Sequence, residues 1–293
     1  MASTDLPDAI RDEREHEDLL SEPTPAAVRS LEQIEGDVIL LGVAGKMGPS
    51  LARMAKRASE AAGVQRRIIG VSRFSTPALE TQLQHDGIET FRGDLLDESF
   101  LASLPDAPNV MHLAVQKFGS QANPSMTWAT NVLLPAWVCR RYSASRIVSF
   151  STGNVYPLVP VSSGGAREDH PLTPLGEYAN ATVARERICE WQAEKTRSPL
   201  VLVRLYYAVE LRYGVLHDLA QHIRHDRPID VSHGYFKCIW QRDANDMILR
   251  CLALTQSPPL PLNLASPDIL SVRQTAEQLA NFMNKTVQFI GQE

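Results

Sequence analysis

From Asp37 onward, short apolar runs alternate with longer stretches whose apolar residues recur at helical spacing. The runs fall at 38–43, 68–71, 89–92, 110–114, 147–150 and 200–205, and helices are predicted to begin near Gly48, Ala78, Glu98, Ser125 and Glu177. Near-continuous apolar strands separated by helices mark β-α-β units around a parallel sheet covered on both faces. Six in succession predict an α/β fold, a Rossmann-type doubly wound parallel sheet, whose ligand lies beyond the carboxyl ends of its strands. After Tyr206 the pattern loosens into a helix at 215–224, short strands at 229–231 and 236–240, a helix at 244–254, a strand at 262–264 and a helix at 272–283. Ser257-Pro-Pro-Leu-Pro reads as a turn, and Asp243 as the N-cap of the helix that follows it.

Upstream, residues 1–23 are charged and weakly periodic and read as an arm with some helical character. Thr24-Pro25 then supplies an N-cap and a proline at the first helical position, and Ala27, Val28, Leu31 and Ile34 an apolar stripe, so a short helix should end near Gly36. The expected division is an arm and short helix at 1–36, a dinucleotide-binding Rossmann domain at 37–206, and a small C-terminal substrate lobe at 207–293 whose last elements return to the sheet.

Composition narrows the class. With 293 residues the chain is near the ceiling for a single core, so one large domain, or one domain with a small lobe, is expected. At 44% hydrophobic and 22% charged it is an ordinary globule, which excludes whole-chain disorder, collagen or coiled coil. A net charge of −5 gives no reason to expect nucleic acid. Cys139, Cys189, Cys238 and Cys251 are scattered without a Cys-x-x-Cys pair and read as reduced thiols of a cytoplasmic protein. The acidic N-terminal stretch, Asp5 to Asp18, has no apolar core, so no secretory signal is expected, and no apolar run approaches a membrane span. His217, His222, His225 and His233 lack metal-ligand spacing, and no metal is expected.

The first strand runs into Gly42-Val-Ala-Gly45-Lys46-Met47-Gly48 and then into a helix. Glycine is needed where the chain turns tightly and where backbone must approach a pyrophosphate, and a helix N-terminus offers free N–H groups to that anion. Between the first strand and the first helix of such an alternation, the triplet points to a dinucleotide. After the second strand, Ser72 stands where a ribose-binding carboxylate is usual, with Arg73 beside it. An arginine there pairs with a 2′-phosphate, so NADP is favoured over NAD.

These stretches resemble the extended short-chain dehydrogenase/reductases, the NAD-dependent epimerase/dehydratase family, over nearly the whole chain after Asp37. Arg92-Gly93-Asp94-Leu95 is similar to the family's Gly-Asp-Leu after the third strand, which implies that Asp94 and Leu95 flank the adenine. Met111-His112-Leu113-Ala114-Val115-Gln116-Lys117 resembles the fourth-strand motif, closest in its His-x-Ala-x-x-Lys spacing to UDP-galactose 4-epimerases. That likeness implies that Leu113 and Ala114 contact the cofactor and that Lys117 reaches its phosphates. Asn131 matches the asparagine of the following helix, a further cofactor contact, and the stretch from Asn263 to Arg273 the C-terminal Asn-Leu-Gly turn.

The stretch Val148-Ser-Phe-Ser151-Thr152-Gly153-Asn154-Val155-Tyr156 is similar to the family's Ser-Ser-x-x-Val-Tyr, which implies that Thr152 holds the reacting substrate oxygen. Tyr178, followed by Glu186, matches the catalytic tyrosine of Tyr-x-x-x-Lys and the later glutamate, but position 182 is threonine. A free tyrosine has a pKa of about 10, and each unit by which it falls corresponds to about 1.4 kcal/mol favouring the phenolate, so a cation is missing. Either Lys117 or Arg185 replaces it or the site is slow or inactive; Arg185 itself reads first as a solvent-facing helix charge. Gly153-Asn154 stands where the dehydratases carry Asp-Glu, which leaves epimerisation or simple oxidation and reduction. The expected function is an NADP- or NAD-dependent oxidoreductase or epimerase on a secondary alcohol of a sugar-like or sugar-nucleotide substrate. The alternative is a catalytically impaired dinucleotide-binding protein with a sensor or assembly role. Asn154, Tyr207 and Arg212 are the expected substrate contacts, and a homodimer is held open.

Overall fold

The structure, a computed structural model, describes residues 7–292; Asp5 of the acidic stretch lies outside them. Its centre is a sheet of β1 (Val38–Leu41), β2 (Ile68–Ser72), β3 (Glu89–Arg92), β4 (Asn109–His112), β5 (Arg146–Thr152), β6 (Leu200–Leu205) and β11 (Leu260–Leu264). All neighbours are parallel, in the order β11-β6-β5-β4-β1-β2-β3. The order reverses between β1 and β4, which opens a crevice at their carboxyl ends. The predicted doubly wound α/β sheet is therefore observed.

Alternation along the strands feeds two cores. Val38 and Leu40 join Met111, Val148 and Val201 under the helices α2 (Pro25–Glu32), α3 (Gly48–Ala61) and α10 (Gln241–Cys251). Ile39 and Leu41 point the other way, with Ile147, Val138 and Cys189, against α7 (Leu134–Arg141) and α8 (Gly176–Thr196). Helices α4 (Pro77–His85), α5 (Glu98–Ser103) and α6 (Pro124–Trp128) complete the crossovers. A π-helical turn, Ala129–Leu133, joins α6 to α7.

The C-terminal lobe has its own core of Leu219, Ile223, Ile229, Val231, Phe236 and Ala276, between α9 (Val215–Arg224) and α11 (Val272–Phe282). Its short strands are β7 (Tyr207–Val209), β8 (Ile229–Asp230), β9 (Tyr235–Phe236), β10 (Cys238–Trp240), β12 (Leu270–Ser271) and β13 (Phe289–Ile290). The single strand expected at 236–240 is two, because Phe236 pairs with Leu270 and Cys238 with Tyr207.

Thr24 caps α2 as expected, accepting from the N–H groups of Ala26 and Ala27. The arm carries α1 (Glu13–Leu20), capped by Asp12 and packed on α3 and α10, with Leu20 fully buried. Two readings are corrected. Helix α10 starts at Gln241, so Asp243 lies in its first turn and does not cap it; buried Gln241 and Arg242, which bond Ser50 and the Glu22 carbonyl, hid that start behind polar side chains. The proline-rich turn also ends sooner, since Leu260 and Pro261 already belong to edge strand β11.

Candidate active site

A cavity of about 1310 Å3 opens beyond the carboxyl ends of the strands, more than one drug-sized ligand fills. Its floor is the glycine loop, and the three glycines are there for different reasons. A Cβ on Gly42, whose φ is +96°, would stand 2.7 Å from the Ala114 nitrogen, and one on Gly48 would stand 2.1 Å from the Val43 carbonyl oxygen, so both are demanded by packing. Gly45 is different: a Cβ there would meet only the Gly42 carbonyl oxygen, at 3.3 Å. Its bareness leaves the loop backbone open to the cavity just before α3; at the helix end itself the Gly48 N–H donates to the Gly45 carbonyl (3.2 Å), the Leu51 N–H donates to the Met47 carbonyl (3.0 Å) and Pro49 has no N–H. The open loop backbone fits a pyrophosphate.

Lys46, Met47, Ser72, Arg73, Asp94 and Leu95 line the same cavity, as do Leu113, Ala114 and Lys117. Arg73 is exposed at the end of β2, and Asp94 closes its own turn by accepting from the Leu96 N–H at 3.0 Å. Asn131 is a correction. It is fully buried behind the wall, where its Oδ1 accepts from the Gln116 N–H (3.1 Å) and its Nδ2 donates to the Gln116 carbonyl (3.0 Å). The π-helical turn presents it to that strand end, so it positions the loop that carries Lys117 and does not face the cavity.

At the other end, β5 delivers Thr152, whose Oγ1 accepts from the Asn154 N–H at 3.3 Å, and the first turn of α8 delivers Tyr178. Both line the cavity with Asn154 and Tyr207. A Cβ on Gly153 would lie 2.8 Å from the Tyr206 ring, so any side chain there, an acidic one included, would have to displace that ring. Burial raises the Tyr178 phenol above its ordinary value, while the Arg185 guanidinium and the Thr152 and Thr182 hydroxyls pull it back. Tyr206 is pushed up to about 12 by burial, with the nearby Tyr156 and Glu168 adding to the rise and the Arg204 guanidinium opposing it. Thr182 donates to the Tyr178 carbonyl at 2.8 Å and brings no charge.

Arg185 is not a surface charge. It is 0% exposed, and its guanidinium donates to the carbonyls of Phe150 (2.8 Å) and Ala114 (2.9 Å), to Asn131 Oδ1 (2.9 Å) and, at longer range, to the Asn131 carbonyl. These are the carboxyl ends of β5 and β4 and the π-helical turn, so one buried cation fastens three walls of the site under Tyr178. Carbonyl dipoles, not a carboxylate, solvate it. Behind Thr152, Glu186 accepts from Ser151 and pairs with Arg204 at 2.8 Å, and Arg204 donates to the Tyr156 hydroxyl at 2.6 Å.

Arg212 is a further correction. It pairs with Glu210 (3.0 Å) and with Glu17 of α1 (2.6 Å) and stands outside the cavity wall. His217 and His222 bond the Leu211 and Pro228 carbonyls, and no group of three His, Cys, Asp or Glu side chains among the described residues could hold a metal. Among the same residues no helix is long and apolar enough to cross a membrane.

The sequence profile of the NAD dependent epimerase/dehydratase family matches residues 38–225, well over half of the chain. The chain belongs to that family. Solved structures agree on the fold. The dTDP-glucose 4,6-dehydratase of Streptomyces venezuelae, with NAD and TYD bound, is similar at a TM-score of 0.75 and 16% identity, over 88% of this chain and 85% of that one. UDP-glucose 4-epimerase of Thermus thermophilus, complexed with NAD, gives 0.68 and 19% over 87% and 85%. UDP-glucuronic acid 4-epimerase of Bacillus cereus, with UDP-glucuronic acid and NAD, gives 0.72 and 16% over 87% and 85%. No curated protein matches the chain.

Proposed function

We propose that this family member is an NADP- or NAD-dependent oxidoreductase or epimerase acting on a secondary alcohol of a sugar-like substrate. The observation that carries the reading is the convergence of Thr152 and Tyr178 on the cavity that the glycine loop floors. Gly42, Gly45 and Gly48, with Ser72, Arg73, Asp94, Leu95 and Lys117, would hold the dinucleotide, as relatives of this fold hold NAD. When bound, the dinucleotide supplies the hydride exchange. Thr152 holds the substrate hydroxyl, Tyr178 takes its proton, and Arg185 beneath favours the phenolate in the role that the resemblance gives to a lysine at position 182. Lining carboxylates are Asp94 and Asp218, neither beside Thr152 in sequence, which supports epimerisation or simple redox chemistry over loss of water. Arg73, which lines the cavity and has no ion pair or hydrogen bond among the described residues, supports NADP.

A homodimer is supported by the apolar face that Trp128, Leu133 and Trp191 leave exposed along α6, the π-helical turn and α8, around the half-buried Ile188. The uncharged Thr182 supports the second reading, a dinucleotide-binding protein without turnover. The deciding experiment is a screen of sugar nucleotides, aldonates and free sugars with both cofactors, repeated with Tyr178→Phe. Turnover that the substitution abolishes supports the enzyme; nucleotide binding with no turnover of any substrate favours the second reading.

A further inference from the structure

Helix α1 lies upstream of the residues that match the family, and it touches both halves of the molecule. On one side it is fixed to the layer that covers the central sheet. Leu20 is fully buried there, its carbonyl accepts from Asn245 of α10 at 3.2 Å, and Arg57 of α3 donates to the Asp18 carbonyl at 2.8 Å. On the other side it reaches the first residues of the C-terminal lobe. Buried His16 faces Glu210 at 3.4 Å and lies against the Trp240 ring, with centroids 6.2 Å apart. Glu17 joins the two sides: its Oε2 pairs with Arg53 of α3 and its Oε1 with Arg212, each at 2.6 Å.

Arg212 belongs to a tight turn. The Glu210 N–H donates to the Tyr213 carbonyl at 3.1 Å, the Tyr213 N–H returns to the Glu210 carbonyl at 3.3 Å, and Arg212 bonds the Glu210 carboxylate at 3.0 Å. The turn presents Tyr213 to the cavity and leads through Gly214, at φ +103°, into the start of α9, where Val215 and Asp218 also line it. From inside the cavity Lys46 of the glycine loop reaches the same place: its Nζ donates to the Ala208 carbonyl at 2.6 Å and sits 3.6 Å over the Tyr213 ring. The turn is thus gripped from outside by α1 and from inside by the glycine loop, and the cavity opens on this side when the turn moves. We propose that α1 is a strap: by pairing Glu17 with both Arg53 and Arg212 it holds the C-terminal lobe down on the dinucleotide-binding domain and sets how readily the cavity admits and releases its nucleotide. This rests on the reading of the cavity as a dinucleotide site. A contact made in the closed state and broken in the open one shifts that equilibrium by its own free energy, and partly exposed ion pairs are weak enough to break during ligand exchange.

Glu17→Gln keeps the shape of the side chain and removes the charge that the two arginines share. Hydrogen exchange of the full chain without ligand, read by mass spectrometry, should show the amides of 207–224 exchanging about fivefold faster, the upper end for one such ion pair, while β1 and β4 keep the parent rates. Stopped-flow fluorescence should show NADPH or NADH leaving the variant faster by a similar factor. Arg212→Met, which frees the lobe and leaves the Glu17–Arg53 pair, should reproduce both effects. Arg11→Ala breaks only the exposed Arg11–Glu15 pair within the arm and should change neither. Unchanged exchange at 207–224 in Glu17→Gln overturns the strap, and so does exchange raised alike across the sheet, which is what a merely structural helix would give. Faster exchange in the lobe with nucleotide release at the parent rate overturns its control of the cavity. A protein that binds neither nucleotide overturns the proposed function, and the exchange measurement then decides the strap by itself.

Discussion

Removing Arg185 should damage stability and proton transfer together, and the two costs can be separated. In Arg185→Met the aliphatic volume is nearly kept, but the Phe150 and Ala114 carbonyls, within 2.9 Å of the guanidinium, lose this buried donor, and Asn131 Oδ1 is left with the Gln116 N–H alone. At about 1–3 kcal/mol for each unsatisfied group, with relaxation recovering part of the sum, the loss is on the order of 3–5 kcal/mol. That is a large part of the roughly 5–15 kcal/mol that holds a folded protein together. At about 2–4 °C per kcal/mol, differential scanning calorimetry should show Tm falling by roughly 6–20 °C. The second cost is read from the pH profile. The guanidinium favours the Tyr178 phenolate against burial, so its loss moves the basic limb of the rate upward, and the rate at any pH below that limb falls. Arg185→Lys keeps the charge and loses the fork, so it should restore much of the limb while remaining destabilised. A melting temperature within about 2 °C of the parent, or a limb that stays in place in Arg185→Met, would refute the role given to this residue.

Gly45→Val fills the one glycine position that packing leaves open, so calorimetry should show nucleotide binding lost while circular dichroism stays unchanged; retained binding would mean that the loop is only a turn. Arg73→Ala should erase a preference for NADPH over NADH, and equal affinities in the unmutated protein would dispose of the 2′-phosphate contact. Thr182→Lys places a cation one helical turn from Tyr178, and the pH-rate limb should move down; a limb that does not respond would show that Arg185 already governs the phenol.

The inner sheet was legible because its strands are apolar on both faces, so β1, β2 and β6 are found within a residue or two of their predicted ends; the polar edge strand β3 was also found at its predicted ends. The glycine loop was legible because its chemistry is local. What escaped was polar and long-range. Arg185 lies on the face of α8 that carries Tyr178, but a charged helix residue is ordinarily exposed, and its acceptors are carbonyls at strand ends that leave no mark in the side-chain pattern. Asn131 could be matched to a motif, yet only the π-helical turn sets it behind the wall. Arg212 was read from its position after β6; its partner Glu17 lies 195 residues away on a helix that residue spacing could not dock. Lys46 was assigned by its loop, whereas its side chain belongs to the opposite lobe.

The two ends of the central sheet bear on self-association. A free strand edge is a template onto which another chain can add, and proteins guard it with proline or charge. At one margin β11 carries Pro261, which has no N–H to offer a newcomer while its ladder with β6 stays intact. At the other, β3 presents Glu89 and Arg92, held by Arg67 and Glu80. Growth by strand addition is discouraged on both sides, so a partly opened molecule has little edge from which to seed a β-aggregate.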